Sequence, residues 1–347
     1  MKAAVLESYD YDVDDSQWLQ YRDVPDPEIK HPNEVIVRIG GAGVCRTDLH
    51  VIEGLWQEIA QVSLPYIMGH ENAGWIEEVG SGVTGFKSGD AVICHPLMTC
   101  GHDMACRRGH DMQCENQAFP GLTRDGGYAD LLRTHERTLV KLPETLAPKD
   151  VAAYSDAGLT AYRAAKKAAR QLVPGQTAVM IGAGGLGHIG IQVLRSLCAA
   201  DIIVVDRAEK ALKQAENFGI AATVLADGNE VEEVKELTRG YGAEAVIDFV
   251  AEGSAVAKGL AMTRDAGTYY IVGYGGRIEI PTMEMVVSEK SIVGNLVGTY
   301  SELVELMELA HRGKVELATK EYKLSEADQA LHDLNAGAMP GRGVLLP

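Results

Sequence analysis

Apolar positions follow two different rhythms along the chain. Up to about residue 150, short runs such as EVIVRIGGAGV, AGWIEEVG and DAVICHPL are punctuated by glycine and proline. Such runs predict the strands of a partly closed antiparallel sheet. From about residue 148 the spacing changes: VAAYSDAGLTAYRAAKKAARQL is long, alanine-rich and helically spaced, and TAVMIGAG then reads as a buried strand opening onto glycines. Strand-like DIIVVD, EAVIDFV and GTYYIVG alternate with helix-like EKALKQAENFG and EVEEVKELTRG. That alternation predicts an α/β fold with a doubly wound parallel sheet. After Thr299 another helical stretch, SELVELMELAHRG, precedes a tail ending in PGRGVLLP, whose last strand is placed to return to the first domain. There is no internal repeat or low-complexity linker.

Length supports the same division, since 347 residues exceed what one hydrophobic core usually fills. Hydrophobic residues make up 46% and charged residues 23%, which excludes a disordered or fibrous chain. A formal charge of -17 repels nucleic acid and anionic lipid, and no Lys/Arg block offsets it, so a small-molecule partner is expected. The N-terminus runs from one lysine into acid, and no apolar run approaches the roughly 20 residues of a membrane helix. A cytoplasmic location is expected, with no membrane partner. Six cysteines are too few for a disulfide framework. Cys100, Cys106 and Cys114 crowd together, which in a reducing compartment suggests metal. Cys94 and Cys198 lie in apolar runs and read as buried core thiols.

The segment VMIGAGGLGHIGIQVL places Gly182, Gly184 and Gly187, with Gly185 between them, in the G-x-G-x-x-G spacing. The first glycine permits a tight turn, the second lets the backbone approach a pyrophosphate, and the third lets helix and strand pack closely. The helix N-terminus adds amide donors and a positive dipole. Asp206 ends the next strand-like run, where a carboxylate accepts hydrogen bonds from an adenosine ribose and repels a 2′-phosphate. NAD is therefore expected over NADP. Arg207 has two readings, as an attractor of that phosphate or as a solvated strand-end arginine.

In GVCRTDLH, Cys45 is followed by Thr47, Asp48 and His50, and GHEN contains His70 and Glu71. Thiolate, imidazole and a nearby carboxylate are the ligand set of a catalytic zinc that keeps one position open. These motifs, followed by the glycine fingerprint, resemble the zinc-containing medium-chain dehydrogenase/reductase family over nearly the whole chain, closest to its bacterial secondary-alcohol dehydrogenases. The resemblance implies a GroES-like catalytic domain at 1–157 and 300–347 and a Rossmann NAD-binding domain at 158–299. It also implies zinc-dependent hydride transfer between NAD and an alcohol or its ketone, with a leaning toward secondary, hydrophobic alcohols.

Site roles follow residue by residue from that resemblance. Cys45 and His70 ligate the catalytic zinc, and the third ligand falls in SDAGLT at Asp156, where members have cysteine or an acid. Glu71 sits beside the metal or visits it. Asp48 is suited to bond the far nitrogen of His70. Thr47 and His50 resemble the relay that delivers the alcohol proton to water. Arg46 and Arg342 match arginines that contact the pyrophosphate, and Thr160 a threonine beside the nicotinamide. The family often has a basic residue five positions past the strand-end acid, but here that place is Ala211, leaving Lys210 or Arg207 for the ribose.

A structural zinc lobe at about 94–118 is also implied, with Cys100, Asp103, Cys106 and Cys114 in the register of four cysteines. His102 is the rival fourth ligand. A closed site of this kind stabilises the lobe. Thr47, Trp56, His95, Pro96 and Phe119 are expected around the substrate, although Trp56 equally suits core or interface packing. A homo-oligomer joined near SIVGNLV is implied, a tetramer before a dimer. Three readings compete: a polyol or amino-alcohol (threonine-type) dehydrogenase; a zinc-free quinone or enoyl reductase, which has no need of Cys45, His70 and Asp156 together; and a non-enzymatic cofactor-binding protein, against which Thr47 and His50 argue.

Overall fold

Short β-branched runs separated by glycine and proline leave the chain free to fold back on itself, and they pair accordingly. In the computed structural model, which describes residues 1–14 and 16–347, the chain forms two units. The first comprises Met1–Leu159, Thr299–His311 and Leu317–Pro347, and the second Thr160–Gly298 with Arg312–Glu316.

The first unit opens with β1 (Lys2–Leu6), β2 (Leu19–Asp23), β3 (Glu34–Val44), β4 (Tyr66–Ile67), β5 (Glu71–Val79), β6 (Ala91–Cys94), β7 (Leu131–His135) and β8 (Leu139–Lys141). β1 lies between β2 and β4 in a small antiparallel sheet. In the larger sheet β3 pairs antiparallel with both β5 and β7, and β6 and β8 extend it beyond β5. Val35, Val37, Ile39, Ile76 and Val92 share one core with Leu6 and Tyr128.

The second unit holds β9 (Thr177–Ile181), β10 (Asp201–Asp206), β11 (Ala222–Leu225), β12 (Ala243–Asp248), β13 (Thr263–Ile271) and β14 (Ser291–Gly294). All pairs are parallel, in the order β11-β10-β9-β12-β13-β14. β9 is apolar and buried over most of its length, as a central parallel strand covered on both faces must be. Strand order reverses beside β9, and such a switch point is where doubly wound sheets bind ligands. The chain then returns to the first unit with β15 (Thr319–Lys323) and β16 (Arg342–Leu346). β16 pairs antiparallel with β3, Gly343 opposite Val44.

The structure departs from the sequence expectation at several points. The alanine-rich stretch is not one helix: a short helix Pro148–Val151 and a turn of 3-10 helix at Ala152–Tyr154 precede the helix Ala157–Ala169. The break falls at Ser155 and Asp156. Arg312–Glu316 belongs to the second unit, where the Gln192 side chain accepts from the Glu316 amide and donates to its carbonyl. Cys198 is half-buried at a helix end, whereas Cys94 is buried as expected. Among the described residues, no helix is long and apolar enough to cross a membrane.

Candidate functional site

Register explains why distant residues meet. Cys45 follows β3 directly and stands at the N-cap of the helix Arg46–Ile52. In the β3–β5 ladder Glu71 lies opposite Gly43, and in the β16–β3 ladder Gly343 lies opposite Val44. His70 and Arg342 therefore arrive beside Cys45. A Cβ at Gly43 would collide with the Glu71 carboxylate, so only glycine leaves it room.

Asp156 is brought in by the helix break. Ser155 Oγ accepts from the Asn72 amide at 2.9 Å, and the Ala157 amide donates to Glu71 Oε1 at 3.0 Å. β5 thus grips the chain on both sides of Asp156. One donor atom each from Cys45, His70, Glu71 and Asp156 falls within 4.8 Å of the others.

His70 is fully enclosed, with Nδ1 3.2 Å from Asp48 Oδ1 and Nε2 3.4 Å from Asp156 Oδ2. Neither ring nitrogen makes a well-formed hydrogen bond, and Glu71 Oε2 has no partner among the described residues. Buried polar atoms in that state cost about 1–3 kcal/mol each. Burial opposes charge on His70, but Asp48, Asp156 and Cys45 outweigh it and hold its pKa well above the usual imidazole value. Burial pushes the Glu71 carboxyl up, against the pull of Arg342, which is buried and paired with it. Burial opposes charge on Arg342 too, and Glu71 and Cys45 hold it cationic. The donor atoms of Cys45, His70, Glu71 and Asp156 crowd within reach of one small ion, so the donor set fits a cation. Thiolate, imidazole and carboxylate are zinc ligands.

Asp48 Oδ2 accepts from the Cys45 amide at 2.8 Å and from the Tyr128 hydroxyl at 2.7 Å. Burial, then Asp48, pushes the Tyr128 pKa up, so the phenol stays protonated. Arg46, Thr47 and His50 share the helix that Cys45 caps; Arg46 is exposed, Thr47 half-buried, and His50 only 9% exposed. A small cavity beside His70 is lined by Asn72, His95, Pro96 and Pro120. Phe119 meets His70 edge-on with ring centroids 5.8 Å apart. Trp56 packs partly buried against the first unit's core.

In the second unit Gly182 has φ +89° at the end of β9, and a Cβ at Gly187 would strike the Gly182 carbonyl. A Cβ at Gly184 would meet nothing within 4 Å. This open approach suits a phosphate, with Gly185 beside it. The helix Gly187–Leu197 begins at Leu186, which supplies no side-chain cap. Asp206 accepts from the Ala183 amide at 2.7 Å and from the Ala208 amide at 2.8 Å, tying the end of β10 to the glycine loop. Arg207 and Lys210 are exposed beyond it, and Thr160 is half-buried in the helix Ala157–Ala169.

The other cluster is local. Donor atoms of Cys100, Asp103, Cys106 and Cys114 lie within 4.8 Å of one another. Asp103 caps the short helix Met104–Arg107, its Oδ1 accepting from the Cys106 amide at 2.7 Å and its Oδ2 from the Glu115 amide at 2.9 Å. Those amides hold its pKa well below the ordinary carboxylate value. Burial pushes the Cys114 thiol up to about 12 when no metal is bound. His102 is exposed and turned to the Cys100 carbonyl at 3.0 Å, outside the cluster.

Sequence reasoning missed Tyr128, Ser155 and Asn72. The one available signal was the pair Gly126–Gly127 ahead of a lone tyrosine in DGGYAD.

Residues 31–144 match the alcohol dehydrogenase GroES-like domain, and residues 185–312 match the zinc-binding dehydrogenase domain. The chain is 36% identical to an NAD-dependent alcohol dehydrogenase of Sulfurisphaera tokodaii, over 95% of this chain and 96% of that one. It is 34% identical to a D-arabinose 1-dehydrogenase (NADP(+)) of Saccharolobus solfataricus, over 100% of this chain and 97% of the other. The crystal structure of the alcohol dehydrogenase of Aeropyrum pernix superposes with a TM-score of 0.95 at 45% identity, covering 100% of both chains. With both domains matched and relatives aligned end to end, the chain belongs to the zinc-containing medium-chain dehydrogenase/reductase family.

Proposed function

We propose that this chain is a zinc-dependent alcohol dehydrogenase that moves a hydride between NAD and a secondary, hydrophobic alcohol or its ketone. The observation that carries the reading is the enclosed meeting of Cys45, His70, Asp156 and Glu71, with Nδ1 of His70 turned to Asp48 and Nε2 turned into the cluster beside Asp156. Zinc held there supplies a Lewis acid for the substrate oxygen, and NAD supplies the hydride acceptor.

The chain's own residues do the rest. Cys45, His70 and Asp156 hold the metal, and Glu71, neutralised by Arg342, stays beside it. Asp48 keeps the proton of His70 on Nδ1, which frees Nε2. Thr47 takes the released proton at its hydroxyl, and His50 passes it to water. Arg46 balances the pyrophosphate charge, Thr160 lies beside the nicotinamide, and Asp206 selects NAD by repelling a 2′-phosphate. Phe119 and Pro96 supply apolar surface near His70, with the His95 imidazole beside them, and that apolar surface favours a hydrophobic substrate. In the second cluster Cys100, Asp103, Cys106 and Cys114 hold a zinc that stabilises the lobe.

A cytoplasmic homo-oligomer, a tetramer before a dimer, goes with this reading. β14 is an edge strand of the parallel sheet, and Met283, Val286 and Val287 ahead of it are exposed. A bare edge with apolar neighbours suits pairing with another copy.

The test is steady-state kinetics with NAD and NADP on primary, secondary and polyol alcohols, alongside metal analysis. The expected result is zinc-dependent turnover with NAD, highest kcat/KM falling on an apolar secondary alcohol. Activity in zinc-free protein would overturn it. The D-arabinose relative favours a second reading, a polyol or sugar substrate on the same scaffold. Higher kcat/KM on polyols would select it.

A further inference from the structure

We infer that Tyr128 is a positioning residue for His70, acting through Asp48; the inference rests on the proposed reading of His70 as a metal ligand. Asp48 is wholly buried. Its Oδ2 takes two donors, the Cys45 amide at 2.8 Å and the Tyr128 hydroxyl at 2.7 Å. Oδ1 is left facing His70 Nδ1 at 3.2 Å. With two donors fixing one oxygen, the carboxylate plane is set and the other oxygen can only address the imidazole. The Tyr128 proton has one rival acceptor, the Gly43 carbonyl at 3.2 Å, and the shorter bond to a charged oxygen is the stronger.

Tyr128 itself is held where this bond requires it. Its amide donates to Met68 O at 2.9 Å, and its carbonyl accepts from the Ala4 amide at 2.8 Å. Gly69, with φ +96°, leaves the space the ring fills, since a Cβ there would collide with it. The Gly127 amide binds Gly69 O at 2.8 Å. Tyr128 thus fixes the two residues that precede His70 as well as the carboxylate that faces it. A tyrosine serving only to fill the core would need its ring and not its hydroxyl, so the hydroxyl decides the matter.

Tyr128→Phe keeps the ring and removes the bond. Zinc affinity is read by competition with a chromophoric chelator, and melting of the metal-free protein is followed in parallel. Partners outside the ligand set typically contribute about 10–100-fold in metal affinity, and a loss in that range is expected at one of the two ions. The same change made in an Asp48→Asn background should cost nothing further. Zinc held equally tightly by Tyr128→Phe and wild type would overturn this inference alone. A wild-type protein holding no zinc at Cys45 and His70 would overturn the functional reading with it. If Tyr128→Phe fails to fold, fluorinated tyrosines at 128 keep the shape while varying the acidity of the hydroxyl. Zinc affinity should then track that acidity, and an unchanged affinity would overturn the inference.

Discussion

The two clusters of metal-ligating side chains are built in opposite ways. Cys45, His70, Glu71 and Asp156 come from separate segments joined by the β3–β5 ladder and a helix break, and buried atoms of His70 and Glu71 lack a well-formed hydrogen bond among the described residues. Cys100, Asp103, Cys106 and Cys114 share one loop, and Asp103 is satisfied by amides of that loop. The first arrangement depends on the whole sheet and calls for a cation. The second is self-contained and needs less from an ion to keep its shape.

The largest expected effect separates them at once. His70→Ala should lower kcat/KM by on the order of 10³-fold or more and remove one zinc per chain, since metal-borne stabilisation amounts to several kcal/mol. Retained turnover would end the division of labour. Asp103→Ala should leave kcat within about twofold, because it touches no reacting group, while lowering the melting temperature by a few degrees through loss of a helix cap. Lost catalysis with the lobe still folded would merge the two sites.

Acid should sharpen the contrast in metal-free protein. The folded pKa of Asp103 lies below its unfolded value, so its contribution is present above about pH 4 and fades as pH falls toward the folded pKa. The melting difference between wild type and Asp103→Ala should therefore narrow below about pH 4; a difference that widens there contradicts the assignment. The smallest effect belongs to His102→Ala, which should leave zinc content and melting unchanged. Loss of the second ion would make His102 a ligand.

Legibility followed the same divide. The crowded cysteines and the glycine turn are spaced within single segments, so Cys100, Cys106 and Cys114 and Gly182 to Gly187 could be read directly, whereas Asp103 came from the family resemblance. Cys45 and His70 were suggested by motif, but Asp156 came only from the family resemblance, because nothing local reveals that β5 breaks the helix there. Tyr128 went unread for a related reason: its partner Asp48 is 80 residues away in sequence. Arg342 was expected at a phosphate and is found buried against Glu71, a pairing set by the register of β16. Propensity and spacing describe the chain's neighbours, whereas the alignment of three strand ends is a property of the finished sheet.

That alignment also imposes an order in time. Arg342 is translated 271 residues after Glu71. At roughly 5–20 residues per second the delay is about 15–50 s. Throughout that interval the Glu71 carboxylate lacks the cation that compensates its burial, so the edge of the sheet beside Cys45 gains little from closing early. The sheet edge that carries Cys45 and Glu71 is therefore expected to close only once β16 has been made, and a nascent chain stalled before Arg342 is expected to be cleaved by proteases more readily than the full chain.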